Sequence, residues 1–302
     1  MAETGRLLKA ISSFYYVYVG SDCSLSGNLT AFGLPCRARG RLRLNGVEPT
    51  PGDYVCWQPD PNHSDSGVLT GIQPRKNFFI RPNIANVDQL VFVASAARPE
   101  TDPWLIDRLS VSAIHAGCEF VVCLNKTDLN PADELFRVYR NAGFPVYRTS
   151  AADGRGIAEF SACLKGKLSV LTGNSGVGKT SLLNRLVPGV MQKTDEISQK
   201  HGRGKHTTRH TELFPLEQNG WIADTPGFAA LDLQLLSALS EEDLPLCFPE
   251  FPRDRCRFPD CRHSAEPSCA VRRAVEEGHV EKSRYRSYLR ILKEVHNTER
   301  SN

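Results

Sequence analysis

The chain has 302 residues, of which 40% are apolar and 24% charged, with a formal net charge of +3. That length is beyond the roughly 250 residues at which single cores stop growing, so two or three domains are expected in a globular, water-soluble protein. No apolar run approaches the ~18 residues of a membrane span, and seven of the ten cysteines are scattered, which excludes a disulfide scaffold and suits a reducing cytosol.

The opening residues, MAETGRLLKA, lack the pattern of a secretory signal, so a cytoplasmic protein is expected. Residues 14–19, FYYVYV, are aromatic and β-branched, and further short strand-like runs follow, separated by turns such as Asn45-Gly46 and Pro51-Gly52-Asp53. They predict a small all-β domain ending near Gln73. Arg37, Arg39, Arg41 and Arg43 alternate, so a strand would project them from one face, either as a solvated surface or as a stripe that contacts phosphates.

From Val87 onward apolar strands alternate with helical stretches: QLVFVASA, a helix in DPWLIDRLSVSAIHAG, CEFVVCLNKTD, a helix over 131–142, FPVYRTSA, KLSVLTG and the helix-like TSLLNRLV. This alternation predicts parallel strands joined by helical crossovers. The last ~75 residues, after Asp224, are irregular and end in an amphipathic helix with Tyr285, Tyr288, Leu289, Leu292 and His296 on one face. From Arg253 to Asn302 there are 12 Lys/Arg against 8 Asp/Glu, a basic excess.

Gly173, Asn174, Ser175, Gly176, Val177, Gly178, Lys179 and Thr180, followed by Ser181, satisfy the phosphate-loop pattern between an apolar strand and a helix start. Glycines there let backbone N–H groups curl around phosphate oxygens, Lys179 adds a point charge, and the Thr180 hydroxyl is placed to hold Mg2+. Asp224-Thr225-Pro226-Gly227 follows another short strand, as a Mg2+-coordinating Asp224 and a γ-phosphate-sensing Gly227 should. By itself that tetrapeptide reads more readily as a turn. Between the two motifs, Lys200 to His210 reads as a nucleotide-dependent switch segment in which Thr207 or Thr208 completes the Mg2+ shell, or as a disordered basic loop.

Asn125, Lys126, Thr127 and Asp128 form the NKxD pattern of guanine selection, in which the aspartate accepts from the ring N1–H and exocyclic amine that adenine does not offer. Ser150-Ala151, at the end of another strand, resembles the companion loop that supports the base. A P-loop ATPase or kinase is the competing reading, and NKTD argues against it.

Near the C-terminus Cys256, Cys261, His263 and Cys269 offer three thiolates and an imidazole within fourteen residues, the ligand set of a closed, structural zinc site. The alternative is free buried thiols. Cys247 lies outside the motif.

NKTD and SA precede GNSGVGKT and DTPG, the reverse of the ordinary arrangement, so the motif order is circularly permuted (G4-G5-G1-G2-G3). That order, with the preceding β domain and the downstream CRFPDCRHSAEPSCAV, resembles the RsgA (YjeQ) family of small-ribosomal-subunit biogenesis GTPases over nearly the whole chain. The resemblance implies an N-terminal OB-fold barrel that binds RNA (1–73), a central α/β circularly permuted GTPase (74–230) and a C-terminal helical zinc-binding domain (231–302). It further implies a monomer that binds GTP and GDP with Mg2+, docks on the small (30S) subunit and its rRNA late in maturation, and hydrolyses GTP when stimulated by that particle. Phe228 stands where Ras-like enzymes carry the water-positioning glutamine, which makes His206 the candidate to orient the water beside the catalytic Lys179; a contact to RNA or solvent is the other reading of His206. Two further functional readings stay open at this point: an RNA-binding checkpoint in which GTP is only a conformational ligand, and zinc-dependent DNA binding, for which no recognition helix is identifiable.

Overall fold

The computed structural model describes residues 3–20, 33–38, 48–80, 82–187, 211–216, 219–224, 239–252 and 256–299. Packing divides the chain into two compact units. Met1–Asp88, Leu164–Val170 and Gly189–Phe228 form the first; Gln89–Cys163, Leu171–Pro188 and Ala229–Asn302 form the second.

The first unit contains a closed barrel of β1 (Glu3–Ile11), β2 (Phe14–Tyr18), β3 (Leu34–Ala38), β4 (Tyr54–Asp60) and β5 (His63–Ile72), in the order β1-β2-β3-β5-β4. β3 and β5 pair in parallel and the other neighbours antiparallel, a small five-stranded barrel of the OB type. The two-residue period of a strand decides its interior. Tyr15 and Val17 point inward with Leu7, Leu34, Cys36, Val55, Trp57 and Leu69, whereas Tyr16 is half-buried and Tyr18 exposed. Each fully buried aliphatic or aromatic side chain contributes about 1.5–3 kcal/mol. The turn before β4 is held by the buried Asp53 carboxylate, which accepts from the Thr50 backbone N–H at 2.8 Å and from Arg75 Nε and Nη2 at 2.7 and 2.8 Å.

After the barrel come a short ribbon, β6 (Phe78–Ile80) and β7 (Asn83–Ala85), and then the expected alternation. It runs β8 (Gln89–Ala94), α1 (Pro103–His115), β9 (Glu119–Leu124), α2 (Asp133–Asn141), β10 (Val146–Arg148), α3 (Ile157–Cys163), β11 (Leu168–Thr172) and α4 (Lys179–Leu186). The chain continues with β12 (Glu212–Pro215), β13 (Trp221–Asp224), a 3-10 turn at Leu244–Cys247, α5 (Ala270–Glu276) and α6 (Lys282–Glu299).

In the second unit β10, β9 and β8 pair in parallel, and β11, whose last two residues belong to this unit, lies beside β8. All of β8 and all but the first residue of β9 are buried, as strands covered on both faces must be. In the first unit the start of β11 pairs in parallel with β13, and β12 pairs antiparallel with β13. The sequence reading missed α3, α5, β12 and the β6-β7 ribbon. All are short, and α3 buries only Phe160, too little to print a helical period.

The C-terminal core gathers Phe248, Phe251, Val271, Val275, Tyr288, Ile291 and Val295. On α6 the fully buried stripe is Arg284, Tyr288, Ile291 and Val295, with Tyr285, Leu289 and Leu292 flanking it. The face is therefore rotated by one residue from the sequence expectation, because a buried guanidinium takes a core position. Arg284 donates to Glu250 Oε1 and Asp107 Oδ1, both at 2.8 Å, and lies 4.7 Å from the Phe248 ring centroid. Among the described residues no helix is long and apolar enough to cross a membrane.

Candidate functional site

The phosphate loop grows out of β11, whose five residues are all buried. The chain leaves the sheet through Gly173, Gly176 and Gly178 at φ values of 131°, 80° and 99°, and α4 starts at Lys179. A Cβ at Gly173 would stand 2.2 Å from the Val93 carbonyl oxygen, and one at Gly178 would stand 2.2 Å from Asn125 Nδ2. The glycines are thus required by both backbone conformation and space. Val177 is buried, whereas Ser175, Gly176, Thr180 and Ser181 face solvent at the helix start. Lys179 Nζ donates to the carbonyl oxygens of Gly173 and Asn174, at 2.7 Å each, folding its ammonium across the mouth of the loop.

The NKTD segment is the turn at the end of β9, and Asn125 is its hub. This side chain is buried; its Nδ2 donates to the Val177 carbonyl at 2.9 Å, while its Oδ1 accepts from the Ala151 backbone N–H at 3.1 Å and from Thr149 Oγ1 at 3.3 Å. One side chain therefore joins three segments that lie far apart in sequence. Thr127 Oγ1 donates to the Thr149 carbonyl at 2.9 Å, and Lys126, in the left-handed region at φ 61°, sends its Nζ to the Arg98 carbonyl at 2.8 Å. Asp128 is left exposed at the tip, its carboxylate open to a ligand. Ser150 is buried, its backbone N–H bonded to the Arg155 carbonyl, and its hydroxyl accepts from the Asp153 N–H at 3.3 Å.

Motif reading overlooked two residues that complete this site. Thr149 closes the bridge between β9 and the Ser150-Ala151 loop. Arg185, in the last turn of α4, donates from Nε to the Ala151 carbonyl at 2.9 Å and from Nη2 to the Ala152 carbonyl at 2.7 Å. Neither carries a sequence signal, since each acts on partners that only the fold brings near.

Asp224 closes β13, paired with Glu212. His206, Thr207, Thr208, Gly227 and Phe228 lie outside the described residues, as do Arg39, Arg41 and Arg43. Arg37 is described, its guanidinium 5.0 Å from the Phe14 ring centroid.

The cysteine and histidine cluster assembles in the C-terminal segment. The four ligand atoms of Cys256, Cys261, His263 and Cys269 lie within 4.8 Å of one another. Cys256 Sγ and Cys269 Sγ each stand 3.5 Å from His263 Nδ1. A tetrahedron with metal–sulfur bonds of about 2.3 Å and a metal–nitrogen bond of about 2.0 Å has a sulfur-to-nitrogen edge of about 3.5 Å, so the set fits a four-coordinate metal bound through Nδ1. Burial, followed by the adjoining Cys256 and Cys269 sulfurs, pushes the Cys261 thiol up to about 12, a penalty that a bound cation reverses.

The surroundings hold the loop in shape. His263 is at φ 58°, and the Ala270 N–H at the start of α5 donates to Cys256 Sγ at 3.3 Å. The Glu266 carboxylate accepts from the N–H groups of Arg262, Ser264 and Ala265 at 3.0, 2.9 and 3.0 Å. From α6, Tyr285 and Tyr288 donate to the carbonyls of His263 and Arg262 at 2.8 and 2.5 Å.

Residues 72–234 match the RsgA GTPase family and residues 4–68 the RsgA N-terminal domain. The small ribosomal subunit biogenesis GTPase RsgA of Alkaliphilus metalliredigens is 40% identical, covering 96% of this chain and 97% of its own. That of Moorella thermoacetica is 42% identical, covering 98% and 99%. The crystal structure of YjeQ from Thermotoga maritima superposes with a TM-score of 0.79 at 34% identity, over 98% of this chain and 99% of its own. That of YloQ, a circularly permuted GTPase, gives 0.80 at 35%, over 98% and 96%. With a permuted set of guanine-nucleotide motifs converging on Asn125 and relatives matched end to end, this chain belongs to the RsgA GTPase family.

Proposed function

We propose that this GTPase converts GTP to GDP and phosphate during late maturation of the small (30S) ribosomal subunit, and that the subunit stimulates hydrolysis. The observation that carries the nucleotide chemistry is the Asn125 hub, which locks the base-selecting turn, the Ser150-Ala151 loop and the phosphate loop into one rigid frame. Preorganisation of that kind is what phosphoryl transfer asks of a protein, since the chemistry consists of positioning and charge stabilisation.

In this reading the backbone N–H groups of Gly173–Thr180 and the positive end of α4 hold the phosphates. Lys179 exchanges its two carbonyl partners for phosphate oxygens. Asp128 accepts from the guanine ring, and the Ser150-Ala151 loop, braced by Arg185, supports it. Mg2+, if held there, would supply charge neutralisation at the phosphates. Thr180, Asp224 and one of Thr207 and Thr208 would hold it, and Ser181 belongs with the nucleotide-binding loop; Gly227 senses the γ-phosphate and His206 orients water. The metal of the cysteine cluster is proposed to be a single structural zinc, because four protein ligands leave no open position. The three-part organisation (1–73, 74–230, 231–302), a monomeric state, rRNA contact and a cytoplasmic location complete the proposal.

The test is GTP and ATP turnover by the purified protein, with and without small subunits, for wild type and Lys179→Ala. Strong, Lys179-dependent stimulation of GTP turnover alone is expected. An unchanged rate on adding subunits would refute stimulation by that particle, and turnover surviving in Lys179→Ala would assign it to a contaminant.

A further inference from the structure

Between β8 and α1 the chain runs through residues 95–101, SAARPET, a loop that carries no nucleotide motif. Two side chains close its neck. The Ser95 N–H donates to Thr101 Oγ1 at 2.9 Å, and the Thr101 N–H returns to the Ser95 carbonyl at 2.8 Å. The Ser95 hydroxyl also accepts from the Ala97 N–H at 3.1 Å and donates to the Ala97 carbonyl at 2.9 Å. Ser95 and Thr101 are both buried, and an amide left unpaired in such a place has no water to turn to.

The rim of this ring reaches both halves of the nucleotide site. The Arg98 carbonyl takes the Lys126 ammonium at 2.8 Å, and the Ala96 carbonyl accepts from Asn130 Nδ2 at 3.2 Å, two residues beyond Asp128. On the other side, a Cβ at Gly176 would stand 3.2 Å from Pro99 Cγ, so the proline ring lies against the outer turn of the phosphate loop. The end of β8 adds a further bearing: the Val93 carbonyl backs Gly173, and the Ala94 carbonyl accepts from the Asn125 N–H at 2.8 Å. Asn125 thus fixes the inner side of the phosphate loop at Val177, and the ring meets its outer side at Gly176.

We propose that residues 95–101 form a strut that sets the distance between the phosphate loop and the NKTD turn, with Thr101 and Ser95 as the positioning residues that close it. Both act through other residues and not on the nucleotide itself. A shift of about 1 Å is costly at such a site, because donors arranged in advance around a ligand lose their aim. The effect falls on GDP and GTP alike, since Lys126 and Gly176 belong to parts of the site that both nucleotides use. The proposal rests on the assignment of the NKTD turn and the phosphate loop to nucleotide made above.

The experiment titrates fluorescent GDP and a non-hydrolysable GTP analogue into full-length wild type, Thr101→Val, Thr101→Ser and Ser95→Ala, with melting temperature as the control of folding. Valine keeps the volume of Thr101 and removes the acceptor of the Ser95 N–H, which serine retains. Thr101→Val is expected to weaken both nucleotides about tenfold, and Thr101→Ser to bind within about twofold of wild type. In turnover the loss should fall on KM and not on kcat, as removal of uniform binding does. If Thr101→Val fails to fold, Ser95→Ala decides: binding about threefold weaker is expected, and wild-type affinity overturns the proposal. Wild-type affinity in folded Thr101→Val, equal weakness in Thr101→Ser, or a loss of kcat at unchanged KM overturns it as well. Asp128→Ala separates the two readings. If it abolishes GDP binding while Thr101→Val leaves affinity unchanged, the strut alone fails; if Asp128→Ala binds GDP as wild type does, the assignment of the NKTD turn fails and takes the strut with it.

Discussion

Asn125 carries more of the nucleotide site than its place in a four-residue motif announces. Its amide is satisfied on both sides by backbone, at Val177 and Ala151, so truncation leaves a buried acceptor and a half-buried donor unpaired. At about 1–1.5 kcal/mol for each lost bond, Asn125→Ala should weaken GDP binding roughly a hundredfold, as measured by fluorescent-nucleotide titration. An effect below threefold would show that the three segments are held together by other contacts. Gly178→Ala tests the same joint from the other side: a methyl 2.2 Å from Asn125 Nδ2, on a residue at φ 99°, should produce a comparable loss of affinity. At the cysteine cluster, Glu266 gathers three backbone N–H groups of the ligand loop without touching the ligand atoms. Glu266→Ala should lower zinc affinity about tenfold in chelator competition, with the four ligands intact. Unchanged affinity would mean the loop holds its shape through Tyr285 and Tyr288 alone.

Among the helices, α6 shows how a charge can anchor a core. Arg284 is wholly buried between Asp107 of α1 and Glu250, and Tyr139 of α2 donates to the same Asp107 carboxylate at 2.9 Å. Burial works against the guanidinium, but the carboxylates of Glu250 and Asp107 outweigh it and hold it above its ordinary value. Removing the cation alone strands two carboxylates in a dry environment, so Arg284→Ala should cost about 3–5 kcal/mol in denaturant unfolding. Arg284→Lys should recover only part of that, because an ammonium does not present the fork that reaches both partners. A loss under 1 kcal/mol in Arg284→Ala would indicate that water enters and solvates the carboxylates. The one-residue rotation of the buried stripe follows from the same triad: hydropathy patterns assign Arg to the surface, so the period was read from Tyr285 when the helix turns about Arg284.

For the molecule as a whole, separate sets of buried side chains among the described residues imply that unfolding is not a single cooperative event. The barrel packs around Trp57 and Leu7, and the C-terminal core around Phe248 and Tyr288, the latter built over the cysteine cluster. Calorimetry is expected to resolve more than one transition, with a strong zinc chelator lowering only the one that belongs to the C-terminal core. A single transition shifted as a unit would show that the cores unfold together.

What the sequence determined by itself was the chemistry. The glycine spacing of the phosphate loop, the NKTD turn and the Cys256–Cys269 ligand set are local patterns, each confined to a few residues whose types suffice to propose a ligand. Alternating apolar runs likewise announced the parallel strands β8 to β11, since strands buried on both faces must be apolar throughout. Only the tertiary structure decided which distant segments share a side chain. Asn125 bridging to Val177, Arg185 bracing Ala151, Arg284 replacing an apolar core residue and Pro99 lying against Gly176 all depend on contacts between residues dozens to hundreds of positions apart. A hydrogen bond to a backbone carbonyl imposes no residue type on its acceptor, and for that reason it leaves no trace in the sequence.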